Sequence, residues 1–175
     1  MLKKGFVHAY TGNGKGKTTA ALGLALRASG AGMKTYCLML MKDFPYSEFN
    51  SLSLLAGHVT VVKTGKDDFI FRKEKPPKEE IDKTASALDD AFAAMISGAY
   101  DLVILDEIFV AVYFGLTGES QILKFIRNKP ENTELILTGR YATEAVLAEC
   151  SLVTEMREIK HYYTTGVLSR KGIDC

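Results

Sequence analysis

The sequence predicts an α/β fold of three layers, a mainly parallel sheet with helices on both faces. Two observations carry this. The strand-like runs are continuously apolar rather than alternating, as strands covered on both faces are. Helical segments separate those runs, as the crossovers between parallel strands require. A chain of 175 residues, 47% apolar and 25% charged, is long enough to bury such a core as one domain over residues 1–175.

The elements follow in order. Residues 5–10 read as a first strand, and residues 11–19 as a glycine-rich turn that opens a helix. Residues 18–28 are apolar almost all round, which predicts a largely buried helix ended by Gly30 and Gly32. Residues 34–40 and 59–63 are the second and third strands. From 64 to 77 the chain turns polar and charged, with Gly65, Pro76 and Pro77, and predicts a long loop of the kind that carries function. Pro77 starts a helix whose Ile81, Ala85, Leu88, Phe92 and Met95 form one apolar stripe, stopping at Gly98. Residues 101–106 are a continuous apolar strand that ends in acid. A helix at 122–126, a strand at 134–138, a short helix at 143–148 and a last strand at 151–154 complete the pattern.

Composition excludes several classes of function. The formal charge is +1, with no basic excess to form a nucleic-acid footprint. The Arg72-Lys73-Glu74-Lys75 cluster reads as solvated loop. No apolar run is long enough to cross a bilayer, and no signal peptide is evident. Cys37, Cys150 and Cys175 are odd in number and lack C-x-x-C spacing, which fits a reducing compartment and the cytoplasm. His8, His58 and His161 lie too far apart in sequence to suggest a ligand cluster.

The chemistry sits in Thr11-Gly12-Asn13-Gly14-Lys15-Gly16-Lys17-Thr18-Thr19. A glycine-rich turn between a strand and a helix points backbone N–H groups into one concavity, and the helix adds the positive end of its dipole. Lys17 reaches phosphate oxygens, and the Thr18 hydroxyl is placed to ligate Mg²⁺. Thr11 stands where the general G-x-x-x-x-G-K-[ST] pattern has glycine. The dinucleotide fingerprint fails, because its third glycine falls on Lys17. The fold class is therefore P-loop NTPase-like (RecA-like), and the ligand a nucleoside triphosphate. Asp106 and Glu107 end a buried strand, where an acid commonly holds Mg²⁺ beside such a loop. A capping role for Asp106 is the bland alternative. Whether Glu107 serves the metal or polarises a water is open at this level.

The loop with its flanks, Tyr10 through Gly30, resembles the opening of the ATP:corrinoid adenosyltransferases built on a P-loop, the cob(I)alamin adenosyltransferase type. The likeness continues through Leu105-Asp106-Glu107-Ile108, Leu137-Thr138-Gly139-Arg140, Val153-Thr154-Glu155-Met156-Arg157, Ile159-Lys160-His161, Gly166 and Gly172-Ile173-Asp174. Thr11 in place of glycine is what this family shows. The resemblance implies transfer of the 5′-deoxyadenosyl group of ATP to cobalt(I) of a corrinoid, with release of triphosphate. It implies catalytic roles for Lys17 and Glu107, nucleotide contacts along residues 11–19 and from Arg27 and Arg140, and Mg²⁺ held by Thr18, Asp106 and Glu107. A nucleotide bound in reverse polarity, a homodimer and a flavoprotein reductant are further implications. Two departures bear on the corrinoid. The family's aromatic pair includes tryptophan, whereas this chain has none and offers Phe69 and Phe71 after Thr64-Gly65; and Met41-Lys42-Asp43 stands where Lys-Gly is commoner. Met1 also lies close to the first strand, so the covering N-terminal extension of some relatives is expected to be absent. The alternatives are a P-loop phosphotransferase or ATPase, which would form ADP, and a nucleotide-dependent binding switch without turnover.

Overall fold

The computed structural model describes residues 2–42, 44–66 and 75–175. In chain order the elements are β1 (Val7–Thr11), α1 (Lys17–Gly30), β2 (Thr35–Leu40), α2 (Glu48–Ser53), β3 (Val59–Thr64), α3 (Lys78–Ile96) and β4 (Leu102–Asp106). They continue with α4 (Ile108–Tyr113), α5 (Glu119–Asn128), β5 (Glu134–Thr138), α6 (Glu144–Ala148), β6 (Leu152–Glu155) and a 3₁₀ turn (Tyr162–Thr165).

The six strands form one sheet in the order β3-β2-β4-β5-β1-β6. Every pairing is parallel, with Tyr10 opposite Thr138 and Met39 opposite Asp106. All the strand carboxyl ends therefore share one edge, and β5 lies between the strand that feeds the loop and the strand that delivers the acids.

Strand alternation divides the core into two layers. Leu38, Leu40, Val103, Leu105, Leu135 and Leu137 face the helices α3 to α6. Cys37, Met39, Ile104 and Ile136 face α1 through Ala21, Ala25 and Ala28. Small alanines on α1 let that helix lie close to the sheet, which holds its N-terminus at the strand edge. The Cys37 thiol is fully buried, and burial first, then Asp106, pushes its pKa up. Cys37 is a core hydrophobe.

The structure corrects four expectations. The α1 helix is not largely buried: only Lys17, Ala21, Ala25 and Ala28 are, and Leu26 is 59% exposed. The stripe on α3 passes through Thr84, Ala87, Leu88, Ala91 and Met95, while Ala85 is exposed. With Glu80 also buried, the covered face is broader than a single row. The short helices α2 and α4 and the 3₁₀ turn were not expected, because segments of four to six residues have too few periods to read. Finally, β6 is an edge strand exposed at every position rather than a buried one. The predicted loop at 64–77 lies largely outside the described residues, and Phe69 and Phe71 with it.

Candidate active site

The loop between β1 and α1 takes its shape from two left-handed glycines, Gly12 (φ 92°) and Gly16 (φ 115°), the second capping α1. Gly12 and Gly14 have a further reason to be glycine. A Cβ on Gly12 would lie 2.5 Å from the Met156 carbonyl oxygen, and one on Gly14 would lie 2.7 Å from it. The chain leaving β6 thus presses against the back of the loop, and the Gly14 N–H donates to the Met156 carbonyl at 2.6 Å. That amide faces away from the concavity, contrary to the sequence reading of a continuous row. The first turn of α1 offers amides that have no intrahelical partners to an anion.

Lys17 is buried at the base of the loop and donates to the carbonyls of Gly12 and Gly14, each at 2.7 Å. Burial lowers its pKa, with Glu107 and Asp106 pulling the other way and Arg140 adding to the fall. Among the described residues its ammonium is held by the two loop carbonyls, weak competitors to a phosphate.

Asp106 is completely buried at the end of β4. Its Oδ1 accepts from the Thr138 hydroxyl at 2.7 Å and its Oδ2 from the Thr18 hydroxyl at 3.2 Å, with the Lys42 ammonium 3.8 Å from Oδ2. Thr138 accepts in turn from the Glu107 N–H at 2.9 Å. Asp106 is thus not a helix cap, a position Glu107 holds for α4: it ties three strand ends and the start of α1 together. Glu107 adopts φ 61°, the left-handed region that a non-glycine residue occupies at about 1–2 kcal/mol. That backbone turns its side chain into the cavity. Burial, then the Asp106 charge, raises the Glu107 pKa, against the pull of Lys42, Lys17 and Arg140. Burial disfavours the Lys42 charge, yet Asp106 and Glu107 outweigh it and hold that ammonium above its usual range.

Above these groups lies a cavity of about 1090 Å³. One end is polar, walled by residues 13–19, Lys42, Glu107 and Arg140. The other is largely apolar, between Leu22 and Leu26 of α1, Leu52, Leu54 and Leu55 at the end of α2, and Tyr163, Val167 and Ile173 of the final segment. This explains the exposed Leu26, which lines the cavity, whereas Leu22 reaches both cavity and core and Leu24 packs on the core alone.

Of the residues expected at the site, Asn13 to Thr19, Glu107 and Arg140 line the cavity, and Asp106 lies directly beneath it, bonded to Thr18. Thr11 is buried at the end of β1, and Gly12 holds the loop from behind. Arg27 is exposed, close enough to Tyr10 to influence its titration, and is not on the cavity wall. Sequence reasoning missed Lys42, Thr138 and the final segment. Position at the carboxyl end of a buried strand was the available signal for the first two.

Among the described residues no three His, Cys, Asp or Glu side chains converge as a metal cage, and no helix is long and apolar enough to cross a membrane. The oxygen set of Thr18, Asp106 and Glu107 nonetheless suits a hard cation such as Mg²⁺, which takes one or two carboxylates and shares the phosphates.

The model of the family described as ATP:corrinoid adenosyltransferase BtuR/CobO/CobP matches residues 3–175. A corrinoid adenosyltransferase of Escherichia coli is 31% identical over 98% of this chain and 86% of its own length. Corrinoid adenosyltransferase CobA of Salmonella typhimurium is 30% identical over the same shares, and a corrinoid adenosyltransferase of Pseudomonas aeruginosa is 26% identical over 98% and 84%. By the span of that match and the site beneath it, the chain belongs to the ATP:corrinoid adenosyltransferase family.

Proposed function

We propose that this protein transfers the 5′-deoxyadenosyl group of ATP to the cobalt(I) of a corrinoid and releases inorganic triphosphate. The single observation that carries the reading is the two-ended cavity: an anion-binding loop and two acids at one end, an apolar slot at the other, in one continuous space. An ordinary nucleotide hydrolase needs only the first half. The family match over residues 3–175 supports giving the second half to the corrinoid.

The reaction needs no protein nucleophile. The cobalt(I) electron pair of the substrate forms the new bond to C5′, and the C5′–O bond breaks with its pair going to the triphosphate. What this chain supplies is orientation and charge. Lys17 leaves the Gly12 and Gly14 carbonyls for a phosphate oxygen, joined by first-turn amides of α1 and by Arg140. Leu22, Leu26 and the apolar residues after α2 exclude water from the reacting end. Mg²⁺, held by Thr18, Asp106 and Glu107, would neutralise part of the triphosphate charge. Glu107 is read as serving that cation rather than a water, since the reaction uses none. The nucleotide lies in reverse polarity, its triphosphate on the loop and C5′ toward the corrinoid. A homodimer in the cytoplasm and a flavoprotein that supplies the electron belong to the same reading.

The test mixes the protein with Mg-ATP and chemically reduced cobalamin while following the cobalt absorption spectrum and the phosphate products. Formation of adenosylcobalamin with one triphosphate per cobalt is the expected result. ADP formed without corrinoid would establish the phosphotransferase or ATPase alternative instead.

A further inference from the structure

The final segment folds back to the loop and meets it at Lys15, through the Asp174 carboxylate and the Ile173 carbonyl. Asp174 accepts from Lys15 Nζ at 2.7 Å, from Arg170 Nε at 3.0 Å and from the Arg170 N–H at 3.1 Å, and from the Tyr162 hydroxyl. The Arg170 guanidinium also lies over the Tyr162 ring, 4.6 Å from its centroid. Lys15 donates a second bond to the Ile173 carbonyl at 2.9 Å. From the opposite wall the Ser47 hydroxyl reaches the Cys175 carbonyl at 2.9 Å. Residues 170–175 are therefore a turn strung across the cavity from the loop tip to the start of α2.

Three features separate this contact from a surface ion pair. Asp174 is only 11% exposed, while Lys15 is 45% exposed. The turn has little apolar anchorage, since Ile173 is 62% and Leu168 74% exposed, so polar contacts hold it. An ammonium has three donors. Two of Lys15's go to the turn, which leaves one toward the cavity its side chain lines. Lys15 is thus able to touch a phosphate while still fastened to the turn. The Lys15 bond, then that of Tyr162, holds the Asp174 carboxyl well below the usual carboxylate range, so the anchor stays ionised.

We propose that Asp174 is a positioning residue of the nucleotide site: it fixes the Lys15 ammonium at the cavity mouth and, through Lys15, couples docking of the 170–175 turn to arrival of the triphosphate. The inference rests on the reading that the polar end of the cavity takes a triphosphate.

The experiment uses inorganic triphosphate with Mg²⁺, without corrinoid, so that it reads the site and not turnover. Two quantities are measured: triphosphate affinity by calorimetry, and the rate of tryptic cleavage after the exposed Arg170 and Lys171. In the wild type, triphosphate is expected to slow that cleavage. Asp174→Asn is expected to weaken triphosphate binding about tenfold and abolish the protection, with Asp174→Glu restoring part of both. Lys15→Met is expected to do the same, and the double variant to be no weaker than Lys15→Met alone, the mark of one coupled pair. In turnover the KM for ATP rises while kcat changes little. Tyr162→Phe, which removes one donor to Asp174, gives a smaller weakening in the same direction and carries the test should Asp174→Asn fold poorly. Unchanged affinity and protection in these variants, with normal binding by the wild type, overturns the inference alone. Tighter binding by Asp174→Asn overturns it too, since the carboxylate would then merely compete with phosphate for Lys15. No binding by the wild type removes the reading of the site beneath it.

Discussion

Lys17 and Thr138 show how single side chains divide the work at this site. Lys17 is buried and, among the described residues, bonded to two carbonyls that a phosphate outbids. Its substitution by alanine removes a charge aimed at the departing triphosphate, and kcat/KM is expected to fall by about 10²–10³. Near-normal turnover in a steady-state cobalt assay would remove Lys17 from the mechanism. Thr138 never touches the cavity, yet its hydroxyl serves Asp106 and the Glu107 N–H together. Thr138→Val keeps the shape and strips both partners, so a loss of about 1–3 kcal/mol is expected in denaturant unfolding. Weaker Mg²⁺ dependence of ATP binding should accompany it, as the two acids lose their common tether. Unaltered stability would mean that water replaces the hydroxyl without penalty.

At the scale of elements, the loop is shaped as much by what lies behind it as by what it binds. A Cβ on Gly14 would meet the Met156 carbonyl at 2.7 Å and the Arg157 carbonyl carbon at 2.8 Å. Gly14→Ala should therefore shift the chain after β6 and destabilise the fold by about 1–3 kcal/mol, read as a lower Tm together with weaker ATP binding. A variant of normal Tm would show that the 156–157 backbone yields freely. The 170–175 turn gives a pH signature of its own. The folded-state pKa of Asp174 is depressed, chiefly by Lys15 and then Tyr162. Its contribution to stability is fully present above the unfolded carboxylate pKa of about 3.9 and disappears as pH falls through the lower, folded value. The Tm advantage of the wild type over Asp174→Asn should hold level from neutral pH to about 5 and shrink only in stronger acid. An advantage that disappears near pH 6 would point to another group.

For the whole molecule, the parallel sheet puts every strand's carboxyl end on one edge, and the loop, the acids, Lys42 and Thr138 all meet there. Helix α1 offers its alanines and Leu24 to the core and Leu22 and Leu26 to the cavity, so one helix builds part of both. The resemblance also implies an aromatic pair that meets the corrinoid. If Phe69 and Phe71 serve the corrinoid, changing both to alanine should impair activity on base-coordinated cobalamin and leave ATP affinity intact. Unchanged cobalamin kinetics would reduce the pair to scaffolding.

Much of this was legible in sequence because it is local. The strand, glycines, Lys17 and Thr18 lie within a dozen residues, and their spacing alone specifies a turn, a helix start and an anion site. The apolar run that ends in Asp106 and Glu107 carries its meaning in the same way, as do the continuous strands that require a parallel sheet. The exposed leucines of α1 were misread as core because composition reports apolarity and not what will cover it.

What the sequence determined by itself is the fold class, the glycine-rich turn between β1 and α1 and the family, since each is encoded in neighbours along the chain. Tertiary structure alone decided that Gly14 gives its N–H to Met156, that Thr138 joins both acids, and that Asp174 holds Lys15 from 159 positions away. The reason is physical: propensity and periodicity act over a few residues, whereas hydrogen bonds form wherever folding brings donor and acceptor within about 3 Å.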